Sequence, residues 1–343
     1  MGSMTTKPRG LRRKVALLCV LASIAAAMGS VTTAQVGGAL DDAAQACSDP
    51  SQSFTLFAER MGGRRNRKIG YGLTPGRPTI PGPTLEVTEG TCLAVTLTND
   101  TGRRLSFHGH GVAYSTASDG TPLNRSCVAP GKTRSYLFNA HGPISRPDGT
   151  IDPGTAGYWH YHDHCRGTSH GTGGLNAGLF GALIVRKASD PVPDRKPYVV
   201  VMKDISINLK RGASTPVFKA DLGQRVEFVV ITHGDLFHTF HLHGHRWVDN
   251  RTGMPSSPAD TTTIIDNKAQ GPGDSFGFQI IAGEHVGTGA WMYHCHVQGH
   301  SDAGMGGIFL VRTVGGQVTA KGRQGLEAWR SQHSQHTRPG GHG

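Results

Sequence analysis

The chain has 343 residues, a formal net charge of +11, 36% hydrophobic and 17% charged residues, 49 glycines and 19 prolines. That length is enough for two domains of ordinary size, and the density of glycine and proline argues for short strands and turns rather than long helices. Five of the basic residues, Lys7, Arg9, Arg12, Arg13 and Lys14, lie in the first 34 positions, so about +6 remains without them, too dispersed to mark a nucleic-acid-binding protein.

Met1–Gly2–Ser3 ahead of Met4 has the form of a tag remnant. Arg12-Arg13-Lys14 and the apolar run from Val15 to Ala27 follow. This is a secretory signal layout, too short to span a bilayer. Residues 1–34 are therefore read as tag remnant plus signal peptide, with cleavage between Ala27 and Gln35 and a secreted product. The adjacent arginines suit a twin-arginine route; an ordinary basic n-region is the alternative. No other segment is long and apolar enough to cross a membrane. The basic run Arg64-Arg65-Asn66-Arg67-Lys68 reads as a solvated loop rather than a nucleic-acid patch, and any attraction for anionic polymers is weak. Thr91 to Thr98 alternates Leu93, Val95 and Leu97 on one face, the signature of a half-buried strand.

His108-Gly-His110 is the first of several His-x-His pairs, which a strand aims to one side. Tyr114 and Asp119 follow it closely. Trp159-His-Tyr-His162-Asp-His164 is the second. Residues 188–197, Ala-Ser-Asp-Pro-Val-Pro-Asp-Arg-Lys-Pro, form a linker. Arg225 to Thr232 is β-branched and apolar, a strand. His241-Leu-His243 is the third pair, and His238, three residues earlier, points to the opposite face. His294-Cys295-His296 is the fourth, with His300 and Met305 close behind. Two imidazoles, a thiolate and a weak thioether compose a blue-copper site. If residues 291 to 296 are extended, Cys295 faces one way and His294 and His296 the other, placing two metal sites back to back across one strand.

The two halves repeat. The segment at His162 aligns with that at His294 at an offset of 132, and His108 with His241 at 133. Asp163 stands where the second half has Cys295, so only the second half holds a blue-copper set. Domain 1 is assigned to residues 50–187 and domain 2 to 198–314, each an all-β Greek-key sandwich. The polar stretch 315–343 reads as a disordered tail. Of six cysteines, Cys19 departs with the signal and Cys295 faces metal. Cys47, Cys92, Cys127 and Cys165 remain for two disulfides, with three connectivities open. The position of Cys165 directly after His164 favours its being bonded.

This ordered set of His-x-His-Gly, His-x-His, His-x-x-His-x-His-Gly and His-Cys-His-x3-His-x4-Met resembles the multicopper oxidases, and with only two copper-binding regions it is similar to the small two-domain bacterial laccases. The resemblance runs from about Phe54 to Val314. It implies two cupredoxin-like domains and four copper ions per chain. The type 1 copper would take His238, Cys295, His300 and Met305, and the type 2 copper His108 and His241. Of the type 3 pair, one ion would take His110, His162 and His296, the other His164, His243 and His294. It implies a homotrimer with each cluster between domain 1 of one subunit and domain 2 of the next, and one-electron oxidation of phenols or aromatic amines coupled to reduction of dioxygen to water. Asp119 and Asp266 are read as proton relays and Tyr114 as a redox-active tyrosine. A turn-forming role for the aspartates and core packing for the tyrosine are the alternatives. His141, His160, His170, His233, His245 and His285 are read as packing or supporting residues.

Three rivals are weighed. A zinc hydrolase of the metallo-β-lactamase kind needs one more residue between its histidines than His160-Tyr-His162-Asp-His164 supplies, and helices this chain lacks. A two-domain copper nitrite reductase carries its type 1 ligands in the first domain and needs fewer cluster histidines. A cuprous-ion oxidase of the same family remains an alternative, though eight methionines supply no methionine-rich segment.

Overall fold

A computed structural model describes residues 47–62 and 67–337. The leader, most of the basic run and the last six residues lie outside the described residues. Ten strands build the first half: β1 (Gln52–Arg60), β2 (Ile69–Gly72), β3 (Leu85–Thr88), β4 (Thr91–Asn99), β5 (His108–Gly109), β6 (Thr133–Ala140), β7 (Ile144–Ser145), β8 (Ile151–Asp152), β9 (Gly157–His162) and β10 (Phe180–Arg186). They form two facing sheets in the orders β2-β1-β4-β6 and β3-β10-β9-β5, with β7-β8 a small separate ribbon. The expected alternation of β4 is present: Leu93, Val95 and Leu97 are fully buried between the sheets.

The second half repeats the plan with β11 (Tyr198–Lys203), β12 (Ser206–Ile207), β13 (Val217–Asp221), β14 (Arg225–His233), β15 (His238–Leu242), β16 (Trp247–Val248), β17 (Ile264–Ile265), β18 (Asn267–Gln270), β19 (Ser275–Ile281), β20 (Gly289–Cys295) and β21 (Gly306–Arg312). Its sheets run β12-β11-β14-β19 and β13-β21-β20-β15-β18. Neighbours in each sheet are mostly non-consecutive in sequence, as chain crossing between the layers of a sandwich requires. Two registers matter most. His108 lies opposite His162 on β9, and His241 lies opposite His294 on β20. Directly opposed residues share a face, so each register brings an early histidine onto the face of a late one.

β14 is buried on both sides, which explains its unbroken apolar sequence. Val226, Phe228 and Val230 belong to the core of the second sandwich, while Val229 and Ile231 face the first. There they meet Tyr158, Phe180, Ala182 and Ile184. At the edge of this layer the fully buried Glu227 carboxylate accepts two hydrogen bonds from Arg186 and one from Tyr158. A buried carboxylate needs such partners, and these come from the opposite sandwich. The linker is pinned too: Asp190 pairs with Arg251.

The disulfides join Cys47 to Cys92 and Cys127 to Cys165, leaving Cys295 free and buried. Among the described residues three α-helices accompany the strands: α1 (Thr172–Ala177), α2 (Gln298–Asp302) and α3 (Ala320–Gln332). The last corrects the expectation of a disordered tail over the described part of 315–343. Thr319 caps α3 by accepting from the Gly322 amide. Gly322 and Gly325 let the helix lie close to Leu310 and Ala290. Trp329 fills the space beyond them, 5% exposed, against Ile308 and Leu310. A face of two glycines with only Leu326 and Trp329 as apolar side chains carries little apolar signal, which is why the helix is hidden in a largely polar sequence.

Candidate metal centres

On β15, β20 and α2, three donors converge. Cys295 Sγ stands 3.7 Å from His238 Nδ1 and 3.5 Å from His300 Nδ1. Ligands bound at roughly 2.0–2.3 Å around one ion stand apart by such distances. A thiolate with two imidazole nitrogens is the donor set of a blue-copper site, and the residues fit it. Met305 is fully buried in the same core, its carbonyl accepting from the Cys295 amide at 3.0 Å. His238 is wholly buried and His300 half-buried, so His300 is the imidazole of this group that reaches the surface. Burial lowers the pKa of both, His238 to about 4. Leu236, Phe237 and Val297, next to these ligands in sequence, are exposed, Phe237 by 72%.

On domain 1, His108, His110 and His162 present nitrogens to one point. His110 Nε2 and His162 Nε2 are 3.1 Å apart, and the His164 ring lies 5.0 Å from that of His108. Domain 2 repeats the group with His241, His243 and His294. His243 Nε2 and His294 Nε2 are again 3.1 Å apart, and the exposed His296 ring lies 5.4 Å from His241 and His294. Among the described residues no ring contact joins the two groups. Each chain thus carries two half-rings of four imidazoles that do not meet within it.

The local backbone fixes which nitrogen each ring offers. His108 donates its Nδ1–H to Asp119 O, His162 to Asp163 O, His164 to Ser169 O, His241 to Asp266 O and His294 to Cys295 O. Each bond leaves the Nε2 lone pair free, the tautomer a metal requires. These lone pairs crowd one another and lie largely buried. Desolvation, then the neighbouring imidazoles, lower the His110 pKa to about 2 and drive that of His162 well below its ordinary value. A cluster of neutral, lone-pair-bearing imidazoles is suited to a cation.

Two glycines explain the sequence pattern. Gly111 and Gly244 follow the pairs His108-Gly-His110 and His241-Leu-His243 with φ of +74° and +69°. A Cβ on Gly111 would sit 1.9 Å from the Trp159 ring, and one on Gly244 2.9 Å from the Trp291 ring. The left-handed turn and the close tryptophan both demand glycine.

Asp119 and Asp266 occupy equivalent places. Beyond its carbonyl, each holds a carboxylate oxygen near the same histidine: 3.7 Å from His108 Nδ1 for Asp119 and 3.8 Å from His241 Nδ1 for Asp266. Burial opposes ionisation of Asp119, but hydrogen bonds from Thr121 and Asn124 outweigh it and hold its pKa below the ordinary value. Tyr114 stands edge-on to His108 at 6.1 Å and packs on Phe138. Its pKa is raised by burial and by Asp119.

The histidine pattern does not reveal several supporting groups. Ser106 and Thr239 donate no signal of their own, yet their hydroxyls accept the amides of His164 and His296. Asp163, in the place of Cys295, is fully buried and accepts amides of Ser106, Cys165 and Arg166. His160 stacks on His110 at 3.9 Å, and His233 stands edge-on to His162 at 5.3 Å. His245 bridges His243 O and the Gly283 amide, and His170 lies 5.6 Å from His164. His141 bonds the adjacent Gly142 carbonyl, and His285 is exposed.

Two family models, both described as multicopper oxidase, match residues 77–190 and 191–314. A probable nitrite reductase–hydroxylamine oxidoreductase fusion protein of Kuenenia stuttgartiensis is 36% identical over 71% of the chain and 28% of its own length. Laccase-8 of Oryza sativa subsp. japonica is 35% identical over 35% of the chain and 19% of its own length. The chain thus spans less than a third of either relative. Among solved structures, one titled as a multicopper oxidase superposes with a TM-score of 0.56 at 26% identity, covering 76% of this chain and 88% of that one. A copper nitrite reductase from Nitrosomonas europaea gives 0.56 at 19% identity, covering 77% and 94%, which is a likeness of fold.

Proposed function

The chain belongs to the multicopper oxidase family, a family of copper oxidoreductases, and from that premise we propose that it is a laccase-type enzyme. It would oxidise phenolic or aromatic amine donors one electron at a time and reduce dioxygen to water. Copper, about four ions per chain with one of blue type, would supply the redox chemistry. The observation that carries the reading is the pair of half-rings, eight imidazoles in all, one of them backing a Cys-His-His-Met set. A blue site alone would need none of the eight.

The chain's own part is to hold and join these donors. His238, Cys295, His300 and Met305 would hold the type 1 ion. His108 and His241 would share the type 2 ion; His110, His162 and His296, and His164, His243 and His294, would hold the type 3 pair. Cys295 lies between His294 and His296, so one residue of covalent backbone separates the two metal faces. His300 gives a donor molecule an approach, and the exposed Phe237 with Leu236 and Val297 offers an aromatic donor an apolar surface. Asp119 and Asp266 hold the type 2 histidines and are suited to keep a proton acceptor beside them, with Tyr114 next to Asp119. Completing a cluster requires domain 1 of one subunit and domain 2 of another, which supports a head-to-tail ring, read as a homotrimer. Secretion follows from the leader and is part of the same proposal.

Nitrite as the electron acceptor is the second reading, favoured by the name of the Kuenenia relative. One experiment separates them: copper-loaded protein is assayed with a phenol under air and with nitrite under argon, after copper counting and a visible spectrum. Oxygen consumption with a blue band and about four coppers per chain supports the first. Nitric oxide release with about two coppers would replace it with the second. Absence of a blue band in copper-loaded protein would overturn both.

A further inference from the structure

Behind the His164 loop, domain 1 opens a cleft of about 490 Å³ lined by Arg103, Arg104, Arg166, Cys165, Gly167 and Gly173. The backbones on its two sides are fixed. Asn99 and Thr101 donate to the Arg103 carbonyl, and the Arg166 amide donates to Asp163. The disulfide of Cys165 with Cys127 anchors the same wall. The arginine side chains, in contrast, lack partners. Among the described residues none of Arg60, Arg103, Arg104 and Arg166 forms an ion pair with an acid. Arg166 Nη1 is buried with no hydrogen-bond partner.

A buried, unpartnered guanidinium donor facing like charges costs stability. Such an arrangement is relieved by an anion. Two of the lining residues, Gly167 and Gly173, carry no side chain. A Cβ on Gly167 would lie 2.8 Å from Gly173, and one on Gly173 2.9 Å from the Arg166 carbonyl. The glycines therefore let the two loop segments that carry Arg166 pack closely on one another. Guanidinium forks match paired oxygens, and several forks converging match a doubly charged tetrahedral oxyanion better than a halide.

We propose that this cleft is a binding site for a free divalent oxyanion of the phosphate class, clamped between Arg103–Arg104 and Arg166. The site lies apart from the copper ligands but shares a loop with one: Ser169, whose carbonyl holds His164, sits between Arg166 and Gly173. A bound oxyanion would tie that loop to the turn after β4. The proposal stands whether dioxygen or nitrite proves to be the electron acceptor.

The test is calorimetric titration of inorganic phosphate into copper-loaded protein in a chloride background, repeated on copper-free protein to separate binding at the metals. Saturable binding in both forms is expected. It should weaken about tenfold or more in Arg103→Ala/Arg104→Ala and in the milder Arg104→Gln. Lys210→Ala, an exposed cation elsewhere, should bind like the parent. Binding that is absent below roughly 10 mM, confined to the copper-loaded form, or undiminished in Arg104→Gln would overturn the proposal.

Discussion

An imidazole can bind a metal through either nitrogen, and in this chain a backbone carbonyl makes the choice at His108, His162, His164, His241 and His294. This is a property of local loops rather than of the histidines. The grouping of the candidate donors was legible in the sequence because a strand's period of two turns His-x-His spacing into a shared face. It also sent His238 away from His241, and the two lie in different donor groups. Ser106, Thr239 and the aspartate carbonyls were not legible as supports, since a hydroxyl or a main-chain oxygen has no spacing to read. Phe237 was equally silent, an ordinary aromatic until its exposure was known. Its replacement tests the donor surface. Phe237→Ala should leave the blue absorption intact and lower kcat/KM for an aromatic donor about 2- to 10-fold, the worth of one aromatic contact. Steady-state kinetics with a phenol and with ferrocyanide would check this, the inorganic donor being affected less.

At the scale of elements, alternating strands such as β4 declared themselves, and the repeat at offsets of 132 and 133 declared that there were two sandwiches. The helix α3 did not. Its packed face is Gly322, Gly325, Leu326 and Trp329, so it depends on closeness and on two apolar side chains rather than on a long apolar stripe. That makes Trp329, the larger of the two, the residue on which the helix most depends. Trp329→Ala should lower stability by about 3–5 kcal/mol, read as a fall in the thermal unfolding midpoint. Trp329 also abuts Gly306, which lies opposite His294. The variant should therefore lose copper from the cluster more readily than from the blue site, which copper counting against blue absorbance would detect. The disulfide pairing was beyond the sequence as well, because four cysteines carry no pairing code until strands bring Cys47 to Cys92 and Cys127 to Cys165.

Across the whole molecule, the two sandwiches are joined by an apolar layer through Val229 and Ile231 and by the buried Glu227 network. This interface decided what the sequence could not: whether His162 and His294 of the same chain approach each other. They do not, although each lies in a group built on the same plan. The dispersed positive charge likewise concealed the cleft at Arg166, because Arg104 and Arg166 are 62 residues apart in the sequence and only the fold gathers them.

The separation of the two half-rings has a genetic consequence. A chain with His162→Ala retains an intact second half, and a chain with His294→Ala retains an intact first half. Each should be inert alone. Refolded together, they should complement one another, because in the proposed ring mixed subunits would bring an intact first half against an intact second half at on the order of one junction in four. Recovery of oxygen consumption in the mixture, and not in either chain by itself, would mean that the working unit is the seam between two copies and that neither copy owns it.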